Sequence, residues 1–348
     1  MTIEQRKKDH IRVNLEENVQ SDLTAGFERY RLIHNALPER NFETFETSVS
    51  FLGKTISAPI MISSMTGGTE SAERVNRNLA AAAESLRIPF AIGSMRVYIE
   101  EKRAETIQNL RSFAPNIPIL ANVGAVQLNY GFTREDCLRA VEMIEADALI
   151  FHFNPLQEIF QKNGNTNFSG LLKKIEKICR DFPCKIIAKE VGSGFSVENV
   201  RQLVEAGISM IDIAGAGGTS WVKVEARVEG SEEMTELAEP FGAWGLPTAE
   251  CLWTLRNAFP ELPLIASGGL KNGVDAAKAI LLGADCCGFA GALLPEALKG
   301  NEEEIRGKLE RIILQYKIAR FLSSGIEKTN QEKNNERTDY FGNQSNDL

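Results

Sequence analysis

The stretch "ADALIFHFNPLQE" (146–158) decides how this chain folds. Its first half is an apolar run of strand length. His152, Asn154, Gln157 and Glu158 then follow within seven residues, all able to bind protons, metals or phosphates. On a strand, His152 and Asn154 face one way while Phe151 and Phe153 face the other. Pro155 has no N–H for a ladder, so the strand ends there. Gln157 and Glu158 are then expected in a loop beyond it. A strand that is apolar along its length and reactive only at its C-terminal end belongs in a parallel sheet.

Seven other runs repeat this design: "APIMISSMTGG" (58–68), "IPFAIGSMR" (88–96), "IPILANVGA" (117–125), "CKIIAKEVGSG" (184–194), "MIDIAGAGG" (210–218), "LPLIASGG" (262–269) and "ADCCGFAGAL" (284–293). Helical patterns separate most of them. One, "TREDCLRAVEMIEA" (133–146), opens on Thr133 as cap, with Glu135 and Asp136 in the first turn. Another, "SVENVRQLVEAG" (196–207), runs from Ser196 to Gly207. Eight strands alternating with helices predict an α/β chain folded as a (β/α)8 TIM barrel. A doubly wound open sheet is the alternative.

Three segments stand outside the repeat. Residues 1–57 are expected to form an N-terminal cap with a short hairpin around "FETSVSFLGKTIS", and 58–325 the barrel. The polar residues 326–348 are expected to be a disordered tail. Residues 219–247 are an insertion after strand six, of the kind that forms lids or oligomer contacts.

Composition narrows the class. A net charge of −8 disfavours nucleic acid and anionic membranes as partners. No apolar run reaches the roughly 20 residues that span a bilayer, and the N-terminus reads as no secretory signal. The six cysteines form no C-x-x-C pair, which suits a reduced, cytoplasmic protein without zinc or disulfides.

All eight strands end in glycine, hydroxyl, amide or charged residues, as one shared polar pocket requires. "SGGLKNG" and "GFAGAL", after strands seven and eight, suit a phosphate, because glycine lets backbone N–H groups approach an anion. That phosphate belongs either to a substrate or to a cofactor such as FMN. Lys189 follows apolar "IIA" and is placed to stabilise an anionic reduced flavin, or else to pair with Glu190. Glu158 at the mouth suits Mg²⁺, which takes few protein ligands. "RKKDH" (6–10) and Arg96 are cations able to close over a diphosphate.

Together "RKKDH", "SSMTGG", "GSMR", "NVGAVQ", "HFNPLQE", "KEVGSG", "DIAGAGGTSW", "WGLPT" and "SGGLKNGVDAAKAILLGAD" resemble, in that order, the FMN-dependent type 2 isopentenyl diphosphate isomerases. The likeness runs over about residues 3–322, and "HFNPLQE" with "GAGGTSW" is its most specific part. It implies a redox-neutral 1,3-allylic shift from isopentenyl to dimethylallyl diphosphate. Reduced FMN, supplied with electrons by NADPH, would act as proton donor and acceptor, with Mg²⁺ on the diphosphate. Carried over by motif, Ser64, Met65, Thr66, Ser94, Asn122, Lys189, Ala214, Thr219, Gly268, Gly269, Ala290 and Gly291 would bind FMN. Arg6, Lys7, Ser94, Met95, Arg96, His152, Asn154 and Gln157 would hold the substrate. Of these, Gln157, His152 and Asn154 would serve the chemistry, and Glu158 would hold Mg²⁺. The resemblance also implies a homo-oligomer, a tetramer or octamer.

Two positions depart from the family's pattern. Met95 stands where many members have glutamine, and Ala214 where serine is common. Two other enzyme classes fit less well. An FMN barrel acting on 2-hydroxy acids needs a histidine base after a late strand, and the three histidines are His10, His34 and His152. An inosinate-type dehydrogenase needs a cysteine beside "GAGGTSW", which has none. A phosphate-ligand binding barrel without catalysis is the non-enzyme alternative.

Overall fold

The computed structural model describes residues 3–65, 70–101, 107, 109–299 and 301–329. Eight parallel strands close into a barrel: β4 (Ile60–Ile62), β5 (Phe90–Ala91), β6 (Ile119–Gly124), β7 (Ala148–Phe153), β8 (Lys185–Glu190), β9 (Met210–Asp212), β10 (Leu264–Ala266) and β11 (Cys286–Phe289). Each pairs with its sequence neighbour, and β11 returns to β4. Closure rules out the open sheet. It follows from strands that bury both faces: β6 is buried along its whole length. Their outward residues, such as Ile119, Ala121 and Phe151, join the main core under the surrounding helices. The inward ones form a separate apolar layer.

The expected caps hold. Thr133 accepts from Asp136 N and the Asp136 carboxylate accepts from Thr133 N, a reciprocal capping box. Ser196 Oγ accepts from Asn199 N.

The residues before the barrel serve both of its ends. Helix Ile3–Glu16 packs on helix Trp221–Glu229 of the insertion, through Val13, Val19 and Val224. The expected hairpin, β2 (Val49–Phe51) with β3 (Lys54–Ile56), plugs the opposite end by adding Phe51 and Ile56 to the inner layer. Each such side chain contributes about 1.5–3 kcal/mol by leaving water. Separately, β1 (Tyr30–His34) pairs antiparallel with β12 (Ser323–Lys328). The chain past the barrel thus returns to the segment before it, and the expected boundary at 325/326 falls inside a strand. Of the expected tail, residues 330–348 lie outside the described residues. No described helix is long and apolar enough to cross a membrane.

Candidate active site

The inner layer takes an apolar residue from every strand, Met61, Ala91, Leu120, Ile150, Ile187, Met210, Ile265 and Cys286, with Ala148 as a second from β7. Two residues further on stand Ser63, Gly93, Asn122, His152, Lys189, Asp212, Ser267 and Gly288. Strand periodicity places these eight one layer higher, on the same inward face. None of them is apolar beyond glycine, so the barrel changes from oil to a polar floor within one layer.

His152 and Asn122 are joined across β6 and β7, with Nδ1···Oδ1 at 2.8 Å. Burial, and then the Lys189 charge, push the His152 imidazole down to about 3, so it is neutral near pH 7. Lys189 Nζ donates to Glu190 O at 2.8 Å. The Glu190 carboxylate accepts from the N–H groups of Val191, Gly192 and Ser193 and also feels the Lys189 charge. Burial nevertheless pushes that carboxyl up to about 7. Asp212, beside Lys189 in the β8–β9 register, accepts from Ser267 Oγ and leaves Oδ2 buried with no hydrogen-bond partner. Desolvation raises the Asp212 carboxyl, and the Lys189 cation opposes it. The ammonium is thus set in a floor that favours negative charge next to it.

Beyond β7 the expected loop is a helix, Pro155–Phe160. Pro155 occupies its first turn, where the missing N–H costs nothing and the fixed φ fits. Gln157 and Glu158 accordingly sit in a rigid first turn. Asn154 Nδ2 donates to Gln157 Oε1 at 3.1 Å and to Glu158 Oε1 at 3.0 Å. Glu158 Oε2 accepts from Asn165 N at 2.5 Å and from Gln161 Nε2 at 3.4 Å. Gln157 Nε2 reaches across to Glu225 Oε1 at 2.8 Å, in helix Trp221–Glu229. His10 Nε2 lies 3.1 Å from the same oxygen, out of line for a hydrogen bond, and its ring meets Trp221 edge-on. The chain Gln157–Glu225–His10 therefore ties strand four's end, the insertion and the N-terminal helix over the mouth. Sequence reasoning missed Glu225 and Asp212. Their signals were an acidic residue four after Trp221 and one inside an apolar strand.

Glycines crowd the ends of strands six to eight. Gly217, Gly268 and Gly269 hold φ of +120°, +96° and +76°, a region that favours glycine. A methyl on Gly218 would lie 2.8 Å from Gly269 N, and Thr219 Oγ1 stands 3.8 Å from where one on Gly291 would be. Ser64 Oγ, on strand one's end, is buried with no partner. This glycine backbone and an orphaned hydroxyl fit a phosphate, and Lys189 fits the anionic edge of a flavin. Gly218→Ala should raise the FMN dissociation constant about 10–100-fold, since overpacking costs about 1–3 kcal/mol. Fluorescence titration of the apoprotein checks this; unchanged affinity would remove the cradle from phosphate binding.

The remaining expected residues divide. Arg6 and Lys7 lie four and three residues before His10, so their helix turns them to the same side. Arg6 Nε is buried without a hydrogen-bond partner. Ser94 is partly buried at strand two's end, while the Arg96 guanidinium is held by Glu100 Oε1 at 2.8 Å. The Met95 side chain is wholly buried in the main core, and its N–H donates to Asn122 O at 2.8 Å. Sequence alone could not show which way the chain turns after β5. Met65 packs partly against the core, and Ala290 precedes a short 3-10 turn, Gly291–Leu293. Ala214 has φ +38°, unusual for a residue with a side chain. Thr66 lies outside the described residues. Glu158 belongs to no group of three or more metal-ligating side chains among the described residues. It fits a cation held otherwise by water and phosphate oxygens, as Mg²⁺ is. All six cysteines are free, and burial pushes the Cys137 and Cys251 thiols up to about 12.

A closed parallel barrel with a glycine cradle at its last strands and a lysine in its floor defines the flavin-binding class of phosphate-site barrels. The family model described as "FMN-dependent dehydrogenase" matches residues 9–119 and 148–312. Among solved structures, an (S)-mandelate dehydrogenase aligns with TM-score 0.66 at 14% identity, covering 94% of this chain and 98% of that one. A mandelate oxidase mutant with an FMN adduct aligns with TM-score 0.58 at 16% identity, covering 90% and 87%. At such identities they share the fold. Two relatives are far closer in sequence. The isopentenyl-diphosphate delta-isomerase of Nostoc sp. is 49% identical over 85% of this chain and 85% of its own. That of Oceanobacillus iheyensis is 46% identical over 98% of this chain and 97% of its own. The chain belongs to the isopentenyl-diphosphate delta-isomerases, within the FMN-dependent dehydrogenase family.

Proposed function

We propose that this chain converts isopentenyl diphosphate to dimethylallyl diphosphate by a 1,3-allylic proton shift, using FMN reduced by NADPH, and Mg²⁺. The observation that carries the reading is the pairing of two half-sites in one mouth. On one side is an anion cradle with a floor lysine. On the other, the Glu158 carboxylate stands beside the Gln157–Glu225–His10 chain. Relatives of this name at 46–49% identity support it.

Reduced FMN, when bound, supplies a proton donor and acceptor at N5. The protein's own residues bind and orient. Lys189 steadies the anionic edge of the flavin, with Ser64, Thr66, Ser94, Asn122, Thr219 and the cradle glycines on its remaining polar groups. Arg6, Lys7, Arg96, His152 and Asn154 neutralise the diphosphate, and Glu158 places the Mg²⁺ on it. Gln157, held by Glu225, orients the alkene end without adding charge. Helices Ile3–Glu16 and Trp221–Glu229 shut water from the mouth, which an unactivated alkene requires. Exposed Leu237 and Trp244 on the insertion, with Ile159 beside them, support a homo-oligomer, a tetramer or octamer. Six free thiols, four of them buried, suit a cytoplasmic setting.

The test is turnover. Reduced anaerobically with Mg²⁺, the FMN-loaded protein should form dimethylallyl diphosphate with no net NADPH use per turnover. Stoichiometric NADPH consumption would overturn the isomerase reading.

A further inference from the structure

The Asn122–His152 pair holds more information than a contact. Asn122 Nδ2 donates to Ile92 O at 3.3 Å. That bond orients the amide, so the group facing His152 Nδ1 at 2.8 Å is the Oδ1 acceptor. An acceptor there requires a proton on Nδ1. The neutral ring must then carry a bare lone pair on Nε2. Phosphate oxygens only accept, so a neutral His152 in this tautomer has nothing to offer a diphosphate.

We infer that Asn122 locks His152 as the Nδ1–H tautomer, so that a diphosphate engages this histidine only together with a proton taken up at Nε2. The inference rests on the proposed function, which brings a diphosphate to His152. The step is one proton transfer. A proton from solvent joins the Nε2 lone pair, and the new N–H donates to a phosphate oxygen; no other bond breaks. Toward the diphosphate, and apart from the flavin contact proposed for it, Asn122 is thus a positioning residue that acts through His152.

The surroundings explain why the proton arrives with the ligand. From β8 the Lys189 ammonium faces the ring, and from β6 come the neutral Asn122 and Gly124. A methyl on Gly124 would lie 3.0 Å from Nε2, so that nitrogen has no donor beside it there. Desolvation and the Lys189 charge both disfavour imidazolium in the free site, where the ring titrates at about 3. A bound diphosphate brings several negative charges and reverses that balance. Linkage then fixes the sign. Between the free-state value and the higher value in the complex, affinity falls about tenfold for each unit rise in pH.

The chain has three histidines, so nitrogen NMR resolves them readily. FMN-loaded protein carrying ¹⁵N-histidine is measured near neutral pH, before and after inorganic pyrophosphate and then isopentenyl diphosphate, each with Mg²⁺. His152 should be neutral and Nδ1-protonated when free, and protonated on both nitrogens when bound. Calorimetry in two buffers of different ionisation enthalpy should count about one proton taken up per site beyond the ligand's own titration. In Asn122→Ala the ring is free to present Nε2–H while neutral, so uptake should fall to near zero. An Nε2–H ring in the free protein, or a neutral ring in the complex of an enzyme that turns over isopentenyl diphosphate, overturns this inference alone. Failure of both turnover and pyrophosphate binding overturns the proposed function and this inference with it.

Discussion

Lys189→Ala should lower isomerase turnover about 10²–10³-fold in protein supplied with excess reduced FMN, the size of loss seen when one preorganised donor is removed from a site. Lys189 is 7% exposed and its ammonium is held by Glu190 O. Truncation would leave Asp212 with an unpartnered oxygen and no cation in the next strand. The floor beneath the flavin would then have lost its cation where reduction adds negative charge. Two effects should appear together: a lower flavin midpoint potential and the fall in turnover. Lys189→Arg should restore part of the potential but little turnover, because a guanidinium cannot take the place of a compact ammonium against Glu190 O. The check is a spectroscopic redox titration beside the isomerase assay. An unchanged potential with normal turnover would mean that Lys189 only neutralises Asp212.

The barrel itself was legible because it depends on coarse periodicity. Eight apolar runs, each ending in polar or glycine residues, leave few other ways to bury both faces of a parallel strand. The cradle glycines were legible for a similar reason: Gly268 and Gly269 need backbone angles that other residues resist. What escaped were contacts across the sequence. Glu225 matters because Gln157, 68 residues earlier, donates to it, and no local pattern encodes that meeting. Asp212 lies in a run that reads as a buried strand, and only closure shows that its side chain enters the polar floor. Met95 shows the other limit of local reading. A motif placed it at the mouth, but the chain turns into helix Arg96–Glu100 there and sends the side chain into the core. The helix at 155–160 was a local signal misread. Asn-Pro followed by an acidic residue in the first turn is a helix start, and Pro155 both ends β7 and begins that helix.

Glu158→Gln gives the sharpest separation between structural and catalytic roles at the mouth, with turnover at fixed Mg²⁺ expected to fall about 10²-fold. Both carboxylate oxygens already accept: one from Asn154 Nδ2, the other from Asn165 N and Gln161 Nε2. A carboxylate offers about four acceptor positions, so room remains for a cation. Glutamine offers one oxygen, and its amide nitrogen must face a donor on one side or the other. That mismatch costs about 1–3 kcal/mol in this buried position, so some loss of thermal stability is expected whatever Glu158 does. The Mg²⁺ dependence decides. If Glu158 places the cation, the concentration for half-maximal activity rises at least about tenfold, as when a metal site loses a supporting group. FMN content should stay the same, because the cradle lies on strands six to eight, away from β7. If Glu158 only braces Asn154 and Asn165, the melting temperature falls while half-saturation by Mg²⁺ does not move. Loss of FMN would place Glu158 in neither role and tie the end of β7 to the flavin instead.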